Sequence, residues 1–146
     1  KVTKVKYREM LITRVIDSII EKWPRSQWNN PRFIIRIQQD GAKAHIDPDD
    51  KVFYNKLGQL GVEDKILIYT QPANSPDTNI NDLGFFRALQ SKYHCNTPND
   101  AIDIIKHVKK THDDYDHKKI NRIWLSLMGC YNGIIECIGG NNYKIS

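Results

Sequence analysis

Apolar residues recur at three- and four-residue steps over the first part of the chain, which is the period of an amphipathic helix. The positions in this stripe are Tyr7, Met10, Leu11, Val15, Ile19, Ile20 and Trp23. Polar residues such as Arg14 and Glu21 fall on the opposite side. Because proline disfavours a helical residue before it, Pro24 is expected to end the helix at about Trp23.

Two short apolar runs farther along have the composition of buried strands. They are RFIIRIQQD at 32–40 and KILIYT at 65–70. Between them, a helical pattern is expected to begin with Asp47 as N-cap and Pro48 as first residue, and to end at Gly61. The order strand, helix, strand predicts a βαβ unit with two parallel strands.

The remainder of the chain carries three helical stripes. Their apolar positions are Leu83, Phe86 and Leu89; Ala101, Ile104, Ile105 and Val108; and Ile120, Ile123, Trp124, Leu127, Tyr131, Ile134, Ile135 and Ile138. Pro98 and Asn99 are expected to open the second helix, and Gly139 and Gly140 to close the third. The predicted organisation is a core helix with a βαβ portion over 1–95, followed by C-terminal helices over 96–146.

Two parallel strands are too few for a stable open sheet, since a parallel pair needs neighbours and cover on both faces. The helices also carry more apolar surface than two strands can bury. We therefore expect that part of the sheet is missing from this sequence or is supplied by another chain, and the pattern favours missing N-terminal strands that precede Lys1.

The composition of the chain bears on the kind of partner it could bind. The net charge of +5 and the pI of about 9.1 suit a partner with a phosphate backbone, although a basic protein without a nucleic-acid role is equally compatible with them. No run approaches the roughly 18 apolar residues of a membrane span. The three cysteines, Cys95, Cys130 and Cys137, match no zinc-binding spacing, which favours free thiols in a reducing compartment.

Two carboxylates fall at the expected active edge of the βαβ unit. Asp40 ends the first strand, and Asp82 begins a helix after the second, with 41 residues between them. Groups at the carboxyl ends of parallel strands converge on one edge, and paired carboxylates there repel each other unless a cation lies between them. Mg²⁺ is the expected ion. Alternatively, Asp82 is only a first-turn acid favoured by the helix dipole.

Particular motifs resemble the catalytic domain of mariner-type DNA transposases, in the plant-like branch whose third catalytic acid is Asp. The two central motifs are QQDGAKAH at 38–45 and QPANSPDTNINDLGFF at 71–86. The resemblance extends to EKWP at 21–24, NRIWLSLMGC at 121–130 and GGNNYKI at 139–145. It therefore covers nearly the whole chain.

This resemblance implies an α/β, RNase H-like fold, here incomplete, with a C-terminal helical extension. It implies a DDD triad that cuts and joins DNA with two Mg²⁺ or Mn²⁺ ions, and Asp40 and Asp82 match the second and third acids. It also implies transposon-end and target DNA as partners, a homo-oligomer and a nuclear location. No residue matches the first acid, so we expect the isolated chain to be inactive. Gly41 stands where the family usually has Asn.

Several neighbouring residues are weaker candidates. His45 matches the family's His and is expected either to contact substrate phosphate or orient Asp40, or simply to make a local loop hydrogen bond. Lys43 is a candidate phosphate contact, although surface lysines are usually only solvated. Asn74 and Ser75 are candidate DNA-backbone contacts, but turn formation explains them better.

Two acid-rich segments are better explained without a metal. Helix capping and first-turn positions account for Asp47, Asp49 and Asp50, and the segment HDDYDH at 112–117 is expected to form a solvated turn. His94 and Cys95 are adjacent but lack further ligands at zinc spacing.

The sequence thus leaves two main functions open. One is a transposase catalytic-domain fragment, whose complete protein cleaves and joins DNA. The other is a non-catalytic transposase remnant that acts as a DNA- or protein-binding module. A general RNase H-like nuclease is a weaker third, because the SPD and LGFF motifs favour transposases.

Overall fold

The computed structural model of the chain describes residues 1–93, 100–140 and 142–144. The fold is mixed α/β and mostly helical, with 59% of the residues in helices and a two-stranded parallel sheet. The chain divides into two compact units, Lys1–Ala73 and Asn74–Ser146. The expected boundary at 95/96 lies outside the described residues.

The first unit begins with helix α1, residues 4–22, as the apolar stripe predicts. Three consecutive segments make it up: α-helical Lys4–Met10, π-helical Leu11–Ile16 and α-helical Asp17–Lys22. Trp23 is extended and Pro24 follows it, so the helix ends where proline was expected to end it. The π-helical segment has no signal in the hydrophobic pattern. A short helix, α2, follows at Arg25–Trp28.

The two predicted strands are present and pair in parallel. Strand β1 is Ile35–Gln39 and β2 is Ile66–Thr70, with Ile35 opposite Ile66 and Gln39 opposite Thr70. Helix α3, Lys51–Gln59, lies between them in the chain, which confirms the order strand, helix, strand.

The start of α3 corrects the sequence prediction. The N-cap is Asp50, whose carboxylate accepts a hydrogen bond from the Phe53 backbone N–H at 2.9 Å. Asp47 instead begins a turn in which its carbonyl accepts from the Asp50 N–H at 3.0 Å. Gly61 does follow the helix end and takes the left-handed conformation, with φ 66°, that glycine adopts without penalty.

One face of the sheet packs against α1 and α3 to form the core of the first unit. Its buried members are Leu11, Ile16, Ile46, Phe53, Leu57, Val62, Ile66 and Ile68. At the outer side of β2 the Tyr54 hydroxyl, from α3, accepts a hydrogen bond from the Ile68 N–H at 3.1 Å. That contact satisfies a strand donor that would otherwise face solvent.

The second unit is helical, as predicted. A 3₁₀ turn at Pro76–Thr78 precedes helix α4, which starts as a π-helical segment, Asn81–Phe85, and continues as α-helix over Phe86–Tyr93. Helix α5 is Ala101–Asp113, and helix α6 is His117–Glu136. The predicted opening of α5 at Pro98 and Asn99 lies outside the described residues, as do His94 and Cys95.

Helix α6 buries only part of its predicted stripe. Of the predicted positions, Leu127 is buried, whereas Trp124, Ile135 and Ile138 are exposed; Cys130, which lies outside the predicted stripe, is also buried. The end of α6 also differs from the prediction, because the left-handed residue that terminates the helix is Ile138, one residue before the expected Gly139. Ile138 takes the left-handed conformation, with φ 53°, and the Gly139 N–H then bonds to the Ile134 carbonyl at 2.8 Å. This is the Schellman arrangement with isoleucine where glycine is usual.

The segment HDDYDH forms the junction between α5 and α6 rather than a wholly solvated turn. His112 and Asp113 are exposed in the last turn of α5, but Tyr115 is buried and its ring packs edge-on against Phe85 at 5.8 Å. Asp116 is the N-cap of α6. Within the described ranges, no helix has the length and apolar composition needed to cross a membrane.

Candidate functional site

Asp40 lies immediately beyond the carboxyl end of β1, where the parallel sheet directs its following residues toward one edge. Its side chain is 46% exposed. One carboxylate oxygen, Oδ1, accepts a hydrogen bond from the Ala42 backbone N–H at 2.8 Å. The short turn therefore fixes the carboxylate's orientation while leaving it accessible.

His45 is held against Asp40. Its Nδ1 lies 2.9 Å from the Asp40 carbonyl oxygen and 2.9 Å from Asp40 Oδ1. Both partners accept hydrogen bonds, so Nδ1 carries the proton, and in the neutral ring the lone pair is on Nε2. The sequence spacing indicated this neighbour correctly, and its local hydrogen bond to Asp40 is present.

Tyr7, on α1, makes a second contact with His45, through its ring. The two rings lie 4.4 Å apart between centroids at an angle of 36°. Burial and the nearby charge of Asp40 raise the pKa of the Tyr7 hydroxyl. No sequence pattern indicates this contact, apart from the position of Tyr7 in the apolar stripe of the first helix.

A groove with a volume of about 190 Å³ lies beside Asp40. Lys4, Lys43 and His45 line it together with the acid Asp47, so two lysines lie on the same groove as the Asp40 carboxylate. Lys4 already pairs with Asp47 at 2.8 Å, at the exposed rim of the groove. Lys43 is exposed and could reach a phosphate group.

Gln39 also lines this groove, and no sequence pattern marks it as a site residue. It is buried, and its amide nitrogen donates to the Ile46 carbonyl. Its amide oxygen, Oε1, has no hydrogen-bond partner among the described residues. The strand alternation could have identified this residue, because Gln39 shares the core-facing side of β1 with Ile35 and Ile37.

Asp50 has a structural role rather than a metal-binding one. Its Oδ2 accepts from Arg8 Nε at 3.0 Å and Nη2 at 2.5 Å, while Oδ1 caps α3. Burial raises the pKa of this carboxyl, but the bonds from Arg8 and from the Phe53 N–H outweigh it and bring the pKa below its ordinary value. The capping interpretation of this acid is therefore confirmed.

Asp82 lies in the second unit, as the second residue of the π-helical start of α4. It is exposed, and its Oδ2 accepts a hydrogen bond from the Asn79 side-chain amide at 2.9 Å. Isolated π-helical turns occur frequently at functional sites. The contact with Asn79 orients the carboxylate at the first turn, which is compatible with both a ligand role and a first-turn role.

The loop before Asp82 is built from turn chemistry. Asn74 has a left-handed backbone, with φ 56°, a conformation that Asn tolerates. The Ser75 carbonyl accepts from the Thr78 N–H at 3.1 Å and from its hydroxyl at 2.7 Å. Both residues thus have the turn role that the sequence favoured, and contact with DNA stays a prediction for them.

Helix α6 and the residues that follow it contact the loop that precedes Asp82. The Tyr143 hydroxyl donates to the Asp77 carboxylate, which raises the pKa of Tyr143 well above its ordinary value. A methyl group at Gly133 would lie 2.5 Å from the Tyr143 ring, so only glycine leaves room for it. At α4, an added Cβ on Gly84 would lie 3.4 Å from Ile123, which indicates equally close packing.

Asp40 belongs to the first unit and Asp82 to the second, so a metal ion shared by the two stays a prediction. Within residues 1–93, 100–140 and 142–144, no three His, Cys, Asp or Glu side chains form a metal-binding group. The structure brings His45, Lys43 and Asp40 together in one unit, and it places Asn74, Ser75 and Asp82 in the other.

Comparisons of the chain with protein-family models, with curated proteins and with solved structures found no match. The class that the structure itself defines is a mixed α/β protein with a parallel β1–β2 pair and an accessible carboxylate at its edge.

Proposed function

We propose that this chain is part of the catalytic domain of a mariner-type DNA transposase, with Asp40 and Asp82 as the second and third acids of a DDD triad. The observation that carries the proposal is the position of Asp40. It follows the carboxyl end of a parallel strand, is accessible, and has His45 fixed against it within the motif that resembles the family.

The donor atoms in the first unit suit a hard divalent cation. Asp40 presents a half-exposed carboxylate, and Gln39, which lines the same groove, has a buried amide oxygen with no hydrogen-bond partner among the described residues. Mg²⁺ and Mn²⁺ prefer oxygen ligands of this kind. When bound, such an ion supplies Lewis-acid stabilisation to the phosphate oxygens of a DNA strand.

The protein's own side chains would position the DNA strand. Lys43 is exposed beside the groove and would attract a phosphate, while the net charge of +5 favours a polyanion at longer range. The Ala42 N–H and the imidazole of His45 hold the Asp40 carboxylate in one orientation. Asn79 performs the equivalent task for Asp82. DNA, a complete triad and a nuclear location all belong to this proposal.

The first test uses this chain and Mn²⁺ as a paramagnetic probe. We expect Mn²⁺ to broaden the amide signals around both Asp40 and Asp82, and we expect Asp40→Asn to remove the broadening at both places. Asp47→Asn is the matched control, because Asp47 lines the same groove but pairs with Lys4. Broadening confined to one segment, or unchanged in Asp40→Asn, would reject a shared ion.

The second test measures activity in a longer protein that also contains the first acid of the triad. Asp40→Asn or Asp82→Asn should abolish Mg²⁺- or Mn²⁺-dependent DNA nicking, with Asp47→Asn again as control. Full activity in either variant would contradict the proposal. If the protein instead binds DNA in a salt-sensitive manner that chelators leave unchanged, the non-catalytic binding module is the better description.

A further inference from the structure

The two acids of the segment SPDTNIND at 75–82 differ in what their carboxylates contact. Asp82 is exposed and receives a hydrogen bond from the Asn79 side-chain amide. Asp77 lies in the 3₁₀ turn Pro76–Thr78, and its carboxylate accepts a hydrogen bond from the Tyr143 hydroxyl. Tyr143 follows helix α6, so this contact joins the residues after α6 to the loop that precedes Asp82.

Helix α6 leaves room for the Tyr143 ring at a buried glycine. Gly133 lies inside the helix, where glycine is intrinsically less favourable than alanine. A Cβ at this position would lie 2.5 Å from Cδ2 and 2.7 Å from Cγ of Tyr143. Tyr131, also on α6, donates its hydroxyl to the Thr78 carbonyl at 3.4 Å. Two tyrosines therefore contact two successive residues of the 3₁₀ turn.

The turn transmits this constraint to Asp82 through Asn79. The Asn79 N–H donates to the Pro76 carbonyl at 3.1 Å, which fixes the Asn79 backbone relative to the turn. The Asn79 side-chain oxygen accepts from the Asn81 N–H at 3.1 Å, and its nitrogen donates to Asp82 Oδ2 at 2.9 Å. Because these bonds are short and consecutive, a shift of Asp77 should change the direction of the Asp82 carboxylate.

From these contacts we infer that Tyr143 is a positioning residue for Asp82, which it holds in place through Asp77 and the turn that follows. This inference rests on the proposed function, since Asp82 is the third acid of the triad proposed there. All the residues involved belong to the second unit. A misplacement of about 1 Å can cost a catalytic group about a hundredfold in rate, so removing one charge-assisted bond in this series should cost about tenfold.

The Asn79 side-chain amide signals test the positioning directly in this chain by NMR. Tyr143→Phe keeps the ring beside Gly133 and removes only the hydroxyl, so the Asn79 signals should shift. Asp77→Ala removes the acceptor of the same bond and should shift them in the same way. Tyr69→Phe is the matched control, because it removes the hydroxyl of a tyrosine that is 49% exposed in the first unit. Unchanged Asn79 signals in both variants would overturn the inference.

DNA nicking by the longer protein with the complete triad tests the consequence for activity. Tyr143→Phe and Asp77→Ala should each lower kcat about tenfold and change the KM for DNA by less than about threefold. Asp77→Asn should keep kcat within about threefold of the wild type, because its amide oxygen still accepts a hydrogen bond. The double variant Tyr143→Phe with Asp77→Ala should lose little more than either single variant, since both remove the same bond.

Asp82→Asn in the same assay separates the two proposals. If it abolishes nicking while Tyr143→Phe nicks at the full rate, Tyr143 does not position Asp82, and the proposed function stands. If Asp82→Asn nicks at the full rate, the proposed function is wrong, and the catalytic part of the inference is rejected with it. Losses that multiply in the double variant would show that Tyr143 and Asp77 act separately, which also contradicts the inference.

Discussion

Replacing Asp50 should destabilise the first unit far more than replacing Asp47, although the two acids are three residues apart and each bonds to a cation on α1. The Asp50 side chain is 5% exposed and its partner Arg8 is 20% exposed, whereas the Lys4–Asp47 pair is 40% and 66% exposed. The same helix thus makes one part-buried ion pair and one surface pair, which provides an internal comparison.

The size of the effect follows from the contacts of Asp50. Loss of an N-cap costs about 1 kcal/mol. Breaking a fully buried ion pair costs about 3–5 kcal/mol, and we reduce this to about 2 kcal/mol because Arg8 retains contact with water. Asp50→Ala should therefore cost about 3 kcal/mol, the sum of the two. Asp50→Asn should cost about 2 kcal/mol, since asparagine still caps a helix. Asp47→Asn should cost less than about 0.5 kcal/mol.

The assay is urea unfolding followed by the amide NMR signals of Phe53 and Leu57, which report on the first unit alone. The pKa of Asp50 is lower in the folded protein than its ordinary value of 3.8, so its contribution to stability is present above that value. That contribution is lost as the pH falls through the folded pKa. In this acidic range, the free energy of unfolding of the wild type should fall toward that of Asp50→Asn. Equal stabilities of Asp50→Asn and Asp47→Asn at pH 7 would refute the reasoning.

Two predictions concern the second unit, one that introduces a glycine and one that replaces a glycine. Ile138→Gly should raise the free energy of unfolding by about 1 kcal/mol. Ile138 is 95% exposed, so its side chain contributes little packing, and its left-handed backbone conformation is unfavourable for isoleucine but not for glycine. Ile135→Gly, inside α6 and also exposed, should lower it by a similar amount in the same urea titration. Gly133→Ala should displace the Tyr143 ring, seen as a large shift of its aromatic NMR signals. Gly58→Ala, where the nearest atom is 3.9 Å from the added carbon, should leave those signals unchanged.

The sequence predicts those features of the fold that depend on local pattern. The helix before Pro24, the two parallel strands and the left-handed residue at Gly61 all follow from periodicity or from the conformations that proline and glycine allow. The choice between Asp47 and Asp50 as N-cap does not, because it depends on Arg8, which is 42 residues away in the chain. Local propensity is nearly identical for the two acids.

Apolar periodicity also fails to distinguish the two sides of α6. Trp124 and Ile135 fit the helical stripe as well as Leu127 does, but only Leu127 is buried. A pattern of apolar positions shows which residues favour burial, and the available partner surface decides which of them achieve it. Ile138 illustrates a similar limit, since no propensity scale assigns a left-handed backbone to isoleucine.

Part of the candidate site was predictable because it depends on residues that are close together in the chain. Asp40 and His45 are five residues apart, and one turn brings them together. Tyr7 joins them only through the packing of α1 near the turn that follows β1, and no spacing in the sequence encodes that contact. The hydrophobic pattern places Gln39 on the core side of β1. It does not show that the amide oxygen of Gln39 has no hydrogen-bond partner among the described residues.

The parallel register of β1 and β2 also sets the order in which the first unit forms during synthesis. Ile35 pairs with Ile66, so the chain must extend 31 residues beyond Ile35 before this first pair of the ladder can form. Until then Leu11 and Ile16 cannot make their contacts with the paired strands, because Ile66 and Ile68 of β2 belong to the same core cluster. Non-local pairing of this kind is slow. Until the β1–β2 ladder closes, helix α1 therefore carries apolar side chains that this strand pair does not yet cover, and arrest of translation before residue 66 should leave them uncovered by it.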